Sequence, residues 1–271
     1  MSRHRLLGLL VLLVSVTVLG ACSEDGATGA GGEAGATVRV AAASDLKFAL
    51  DEVAELVRAE HPEIRVQPVY GSSGTFLQQI QNGAPFDLYL SADLSYPRAL
   101  VEEGVASEED LFSYAVGRLV LWVPEGSTVD PGRGLEVLTD PSVRRVSIAN
   151  PEHAPYGVAA VAAMRTAGVY DDVRPKLVLG ENVAQAAEFV QSGNADAGLV
   201  AKSLVLSDPV RGVGSWQELP LDLYPRVDQG GVVLDGAGDV DAARTVRDVL
   251  LGEAGREILA RYGFTMPEER E

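Results

Sequence analysis

"IRVQPVYGSSGTFLQQIQNG" (Ile64–Gly83) is the stretch that decides how the chain is read. "IRVQPVY" has the β-branched and aromatic character of a strand. Gly71-Ser72-Ser73-Gly74 turns the chain, and "TFLQQIQNG" continues as a short amphipathic helix that stops on Gly83. A strand passing through a tight turn straight into a helix is half of a βαβ unit, the building block of α/β proteins. Such a turn also leaves the first N–H groups of the helix unpaired, with the positive end of the helix dipole beside them. An anion suits that place, yet no Lys or Arg lies within Val69–Ile80.

The same alternation extends in both directions. "TVRVAAA" is a strand, and "LKFALDEVAELVRAEH" is a helix with Leu46, Leu50, Val53 and Val57 at helical spacing. "FDLYLSA" is a strand, "SYPRALVEEG" a short helix and "YAVGRLVLWV" one long strand. A second series begins with "RRVSIAN", turns through "PEHAPYG" and enters the Ala-rich helix "VAAVAAMRTAG". "PKLVLG" then leads through "ENV" into "AQAAEFVQSGN", and "DLYPRVDQGGVVL" runs back toward the first half. The closing stretch is helical with a break near Gly252. This order predicts an α/β fold of two lobes, two doubly wound sheets joined by a two-strand hinge. Residues 38–113 and 225–271 form lobe 1 and residues 114–224 form lobe 2, with crossings near Tyr114–Leu121 and Leu223–Val233. The cleft between the lobes is the expected ligand site.

The N-terminus has a different character. A basic start, the apolar run "LLGLLVLLVSVTVLG" and the small residues before Cys22 have the layout of a secretory signal, residues 1–21. Leu19-Gly20-Ala21-Cys22 resembles a lipobox, which implies that Cys22 becomes the acylated N-terminus of an extracytoplasmic, membrane-anchored lipoprotein. Cys22 is the one cysteine in the chain, so no disulfide supports the fold. Residues 22–37, Gly/Ala-rich and without large apolar side chains, read as a flexible tether. Without Arg3 and Arg5 the balance is 20 basic against 39 acidic residues, a formal −19. That charge argues against nucleic acid or an anionic membrane face as a partner. A small anion is still admissible, because local dipoles govern a site more than a screened distant total.

Four turns supply uncharged donors: Ser44-Asp45, Gly71–Gly74, "PEHAPYG" with Tyr156, and Asn182-Val183. Each also has a plain structural account. Ser44 is a good N-cap, the Gly/Ser turn a flexible loop, "PEHAPYG" a rigid loop and Val183 a core residue. Their recurrence after successive strands in both halves favours a shared site. Hydrogen bonds to a charged group contribute about 1.5–3 kcal/mol each. Five to seven such bonds could supply the roughly 8 kcal/mol of a micromolar site after ordering costs. Catalytic signatures are missing: "GSSGT" has neither G-x-S-x-G spacing nor a P-loop lysine. No Cys/His cluster points to a bound metal cation, and nothing calls for a cofactor.

"VAAASDLKFALDEVA", "VYGSSGTFLQQIQNGAPFDLYLSAD", "YAVGRLVLW", "IANPEHAPYGVAA", "LGENVAQAAEFVQSGNADAGLVA" and "RYGF" resemble the molybdate-binding proteins of bacterial molybdate ABC importers, over about Val38–Phe264. The resemblance implies a type II periplasmic-binding-protein fold, monomeric, that closes on molybdate or tungstate and delivers it to an ABC permease. It places ligand donors on Ser44, Ser73, Tyr156 and the Val183 N–H. Asp45 also falls beside the ligand, where some relatives carry Asn or Leu, and its carboxylate would repel a dianion. Its side chain is therefore expected to cap the helix or point away. A carboxylate lining the pocket would instead favour hydrogen phosphate, whose proton needs an acceptor. Sulfate is the other rival oxyanion, and an extracytoplasmic enzyme sharing the fold is the competing class. Ala201 stands where one branch of the family has a tyrosine, and Tyr156 is expected to supply that hydroxyl from the other side.

Overall fold

The computed structural model describes residues 35–267; the expected signal, Cys22 and most of the tether lie outside them. Two five-stranded sheets organise the described chain. The first contains β1 (Ala36–Ala43), β2 (Ile64–Gly71), β3 (Leu88–Ser91), β4 (Leu111–Gly117) and β10 (Val227–Val233), in the order β2-β1-β3-β10-β4. The second contains β5 (Leu119–Val123), β6 (Val146–Ala149), β7 (Leu177–Gly180), β8 (Ala197–Ala201) and β9 (Ser215–Glu218), in the order β7-β6-β8-β5-β9. In each sheet three strands are parallel, and one strand runs antiparallel to both neighbours: β10, the last of the first sheet, and β5, the first of the second.

Helices cover the sheets. Around the first are α1 (Lys47–Glu60), α2 (Ser73–Gln81), α3 (Ser95–Glu102), α8 (Val240–Leu251) and α9 (Glu253–Arg261). The second carries α4 (Pro155–Thr166), α5 (Tyr170–Val173), α6 (Val183–Gln191) and α7 (Lys202–Val205). The periodicity of α1 explains its packing: Ala49, Leu50, Val53 and Val57 are buried on one face, against β1 residues such as Val38 and Val40. Burying each of the three larger side chains contributes about 1.5–3 kcal/mol. α8 and α9 part at Gly252, where the break was expected.

One expectation needs correcting. Tyr114–Val123, read as a single strand, is two. β4 pairs with β10 in the first sheet through Gly117, while β5 starts at Leu119 in the second. The first crossing therefore narrows to Arg118, and Tyr114 stays in the first sheet. Apolar character runs unbroken on either side of Arg118, so periodicity carries no sign of the change of sheet. The chain recrosses between β9, ending at Glu218, and β10, beginning at Val227.

Candidate functional site

The parallel strands of both sheets end toward one another, the position at which α/β sheets place ligands. Beyond β1 a 3-10 turn, Ser44–Leu46, presents Ser44 and Asp45. β2 leads to Ser72 and Ser73, β6 leads through Asn150–Ala154 to Tyr156, and β7 leads to Asn182 and Val183. Ser44, Asp45, Ser72, Ser73, Ala154, Tyr156, Asn182 and Val183 line one small cavity with Ala43, Gly71, Ala92 and Pro155. Each of the five residues singled out from the sequence is therefore brought to the same place. A larger open groove lies beside it, lined in part by Arg98, Glu102, Arg226 and Asp228. Arg226 and Asp228 pair with each other there at 2.7 Å.

Both serines are buried and held by the same device. Ser44 Oγ accepts from the Ala184 N–H at 3.2 Å, and Ser73 Oγ accepts from the Ala92 N–H at 3.0 Å. A hydroxyl has one proton and two lone pairs. Because each oxygen is already engaged as an acceptor, its proton is the part left to donate into the cavity. The Ser73 carbonyl is fixed as well, accepting from the Tyr89 hydroxyl at 2.7 Å.

Val183 is the first residue of α6. Asn182 caps that helix by accepting from Ala184 and Gln185, both at 3.1 Å, and so leaves the Val183 N–H outside the cap. Tyr156 is the second residue of α4, after Pro155, whose missing N–H costs nothing at a helix start. Gly117 makes room for the Tyr156 hydroxyl: a Cβ at position 117 would sit 2.2 Å from it.

Asp45 departs from its expectation. Its side chain does not cap a helix, and it is 1% exposed. Oδ2 accepts from Gln229 Nε2 at 2.5 Å, the Tyr156 hydroxyl lies beside the carboxyl, and Oδ1 has no partner. Burial pushes the carboxyl pKa up to about 6 from 3.8, against the opposing pull of Gln229 and Tyr156. The same burial, with Asp45 beside it, raises the Tyr156 pKa well above its ordinary value, so that hydroxyl stays a donor.

Gln229 was not singled out from the sequence. It is fully buried on β10, its Oε1 has no partner, and its Nε2 lies 3.3 Å from the Tyr156 hydroxyl. The pairing of β10 with β4 slips between Gln229 and Gly230, a bulge of the kind that re-aims a side chain beside a site. The available signal was a polar residue before Gly-Gly inside an otherwise apolar return strand. Ser72 and His153 were likewise unassigned. Ser72 Oγ donates to the His153 carbonyl at 2.5 Å, and the Gly74 N–H donates to the same oxygen at 2.9 Å.

Among the described residues no helix is long and apolar enough to cross a membrane. The model of a family described as bacterial extracellular solute-binding protein matches residues 38–265. A molybdate-binding protein ModA of Rhodobacter capsulatus is 43% identical over 195 residues, covering 72% of this chain and 75% of the relative. One from Azotobacter vinelandii is 38% identical over 229 residues, covering 84% of this chain and 90% of the relative. The solved periplasmic molybdate-binding protein of Azotobacter vinelandii superposes with a TM-score of 0.80 at 29% identity, covering 85% of this chain and all of that one. With its two α/β sheets and a cavity at their facing strand ends, the chain belongs to the bacterial extracellular solute-binding protein family.

Proposed function

We propose that the protein captures a tetrahedral oxyanion, molybdate or tungstate, between its lobes and hands it to an ABC permease. The hydroxyls of Ser44, Ser73 and Tyr156 and the N–H of Val183 donate to the anion's oxygens, with Asp45 beside it. Cys22 carries the lipid that holds the mature chain, as a monomer, outside the cytoplasm. One observation carries the reading. Two buried serines on different strand ends have oxygens already bonded to backbone N–H groups, and both line the same cavity. The relatives named as molybdate-binding proteins support molybdate as the ion.

A donor-only shell suits a fully deprotonated ion. Hydrogen phosphate would bury an O–H without an acceptor, at the cost of an unpaired buried polar group. Asp45 favours the second reading, since its unpartnered Oδ1 could accept that proton. Sulfate differs from molybdate in size: Mo–O bonds are longer, and a ring of fixed donors cannot contract around a smaller ion without losing geometry. Calorimetric titration with molybdate, tungstate, sulfate and phosphate separates these readings. Tight molybdate and tungstate binding with weak sulfate and phosphate binding is expected. Equal sulfate binding would overturn the size argument, and preferred phosphate binding would transfer the site to the second reading.

A further inference from the structure

Ser72 and Ser73 are neighbours in one turn, yet their hydroxyls face different tasks. Ser73 keeps its proton for the cavity, whereas Ser72 spends its own on the His153 carbonyl of the opposite lobe, at 2.5 Å. The Gly74 N–H joins the same carbonyl at 2.9 Å. His153 Nδ1 also lies 2.9 Å from Ser72 Oγ. Ser72 has a single proton and has already given it away, so its oxygen must be the acceptor in this second contact. That assigns a hydrogen to Nδ1. Nε2 faces the Glu181 carboxylate at 3.8 Å, on the loop that leads to Val183. The result is a reciprocal clasp. The start of α2 donates twice to His153, through Ser72 and Gly74, and His153 donates back once.

Space around the clasp is tight. A Cβ on Gly74 would sit 2.7 Å from the His153 carbonyl oxygen, so only glycine lets the two lobes approach this closely. Ser72 is 4% exposed, and the His153 side chain is 18% exposed. The clasp therefore stands at the edge of the cavity, between buried Ser73 and solvent. None of its three bonds uses the donors assigned to the anion.

We infer that Ser72 and His153 form a latch that holds the lobes together over the captured anion and sets how slowly it escapes, without taking part in recognising it. The inference rests on the proposed capture of an oxyanion between the lobes. Opening the cleft must break all three bonds, while an ion entering an open cleft meets none of them. Loss of the latch should therefore appear in the dissociation rate and not in the association rate.

The test preloads the full mature chain with radiolabelled molybdate, chases with unlabelled molybdate and follows release. Association is followed separately by stopped flow. His153→Ala and Ser72→Ala should each release the ion about five- to thirtyfold faster with association little changed, the range expected for losing one or two neutral hydrogen bonds. Because both substitutions break the same contact, the double variant should be no faster than the product of the two and close to the faster single one. His153→Asn, whose amide nitrogen falls near the position of Nδ1, should recover much of the slow release. A merely structural role would instead lower the melting temperature of the ligand-free variants, and the latch predicts no such loss. Wild-type release rates in His153→Ala, or no recovery in His153→Asn, would overturn the latch. Failure of the wild-type protein to retain molybdate would refute the capture reading itself, a separate outcome.

Discussion

Asp45→Asn replaces a buried carboxyl by a neutral side chain of the same shape. Burial raises the Asp45 pKa from 3.8 to about 6 in the folded protein. Below about pH 4 the group is neutral whether the chain is folded or not, and nothing is lost. Between about pH 4 and 6 the unfolded chain ionises while the folded one resists, so stability falls as pH rises. Above about pH 6 the loss is complete, and 1.36 kcal/mol per unit makes it about 3 kcal/mol. Asparagine avoids that loss. It also brings N–H donors to a place where Asp45 Oδ1 and Gln229 Oε1 both lack one. The variant should therefore be more stable than wild type by up to about 3 kcal/mol at neutral pH and no more stable below about pH 4.

Ligand binding sharpens the prediction. A dianion about 5 Å from a carboxylate is opposed by about 6–7 kcal/mol at an effective dielectric constant of about 20. Protonating Asp45 at about pH 7.5 costs only about 2 kcal/mol. The cheaper route wins, and the loaded protein takes up one proton on Asp45. Wild-type affinity for molybdate should then fall about tenfold per pH unit above about pH 6, whereas that of Asp45→Asn stays level. At about pH 7.5 the variant should bind about thirtyfold more tightly. The groups that face Asp45 are Gln229 on β10, Tyr156 on α4, Ser203 on α7 through the Asp45 carbonyl, and Tyr114 on β4. The tyrosines stay protonated across this range because burial raises their pKa values. Calorimetry in two buffers of different ionisation heat counts the proton directly. Equal pH dependence in both proteins, or no proton uptake by wild type, would refute the reasoning.

Ser73→Ala should weaken molybdate binding by about 1–3 kcal/mol, since it removes a hydroxyl proton aimed at the ion and leaves the Ala92 N–H without its acceptor; unchanged affinity by calorimetry would remove the Gly/Ser turn from the site. Metabolic labelling with palmitate should mark the wild-type protein and not Cys22→Ser, and an unlabelled wild type would end the lipid-anchor proposal.

The residues that the sequence made legible share one property: each follows a strand and opens a helix. Ser44, Ser73, Tyr156 and Val183 could be found because strand-to-helix turns show up as a change from period two to period 3.6. The destination of the Asp45 side chain could not be found that way. Its partner Gln229 is 184 residues away on the return strand, and a bulge, which leaves no mark in hydropathy, aims it. The split at Arg118 escaped for a related reason. Tyr114–Val116 and Leu119–Val123 are all buried, so both halves look like one strand. Helix starts were also placed late. α2 begins at Ser73 and α4 at Pro155, whereas apolar spacing becomes visible only from Thr75 and Val158.

Strand order has a consequence for how the chain matures as it is synthesised from its N-terminus. Every strand of the second sheet has emerged by Glu218. In the first sheet β10 lies between β3 and β4, so β4 has no neighbour to pair with until the last fifth of the chain arrives. The inserted lobe can thus consolidate early, while its host waits half-built with open strand edges. During that interval the nascent protein is most exposed to aggregation and most in need of a chaperone.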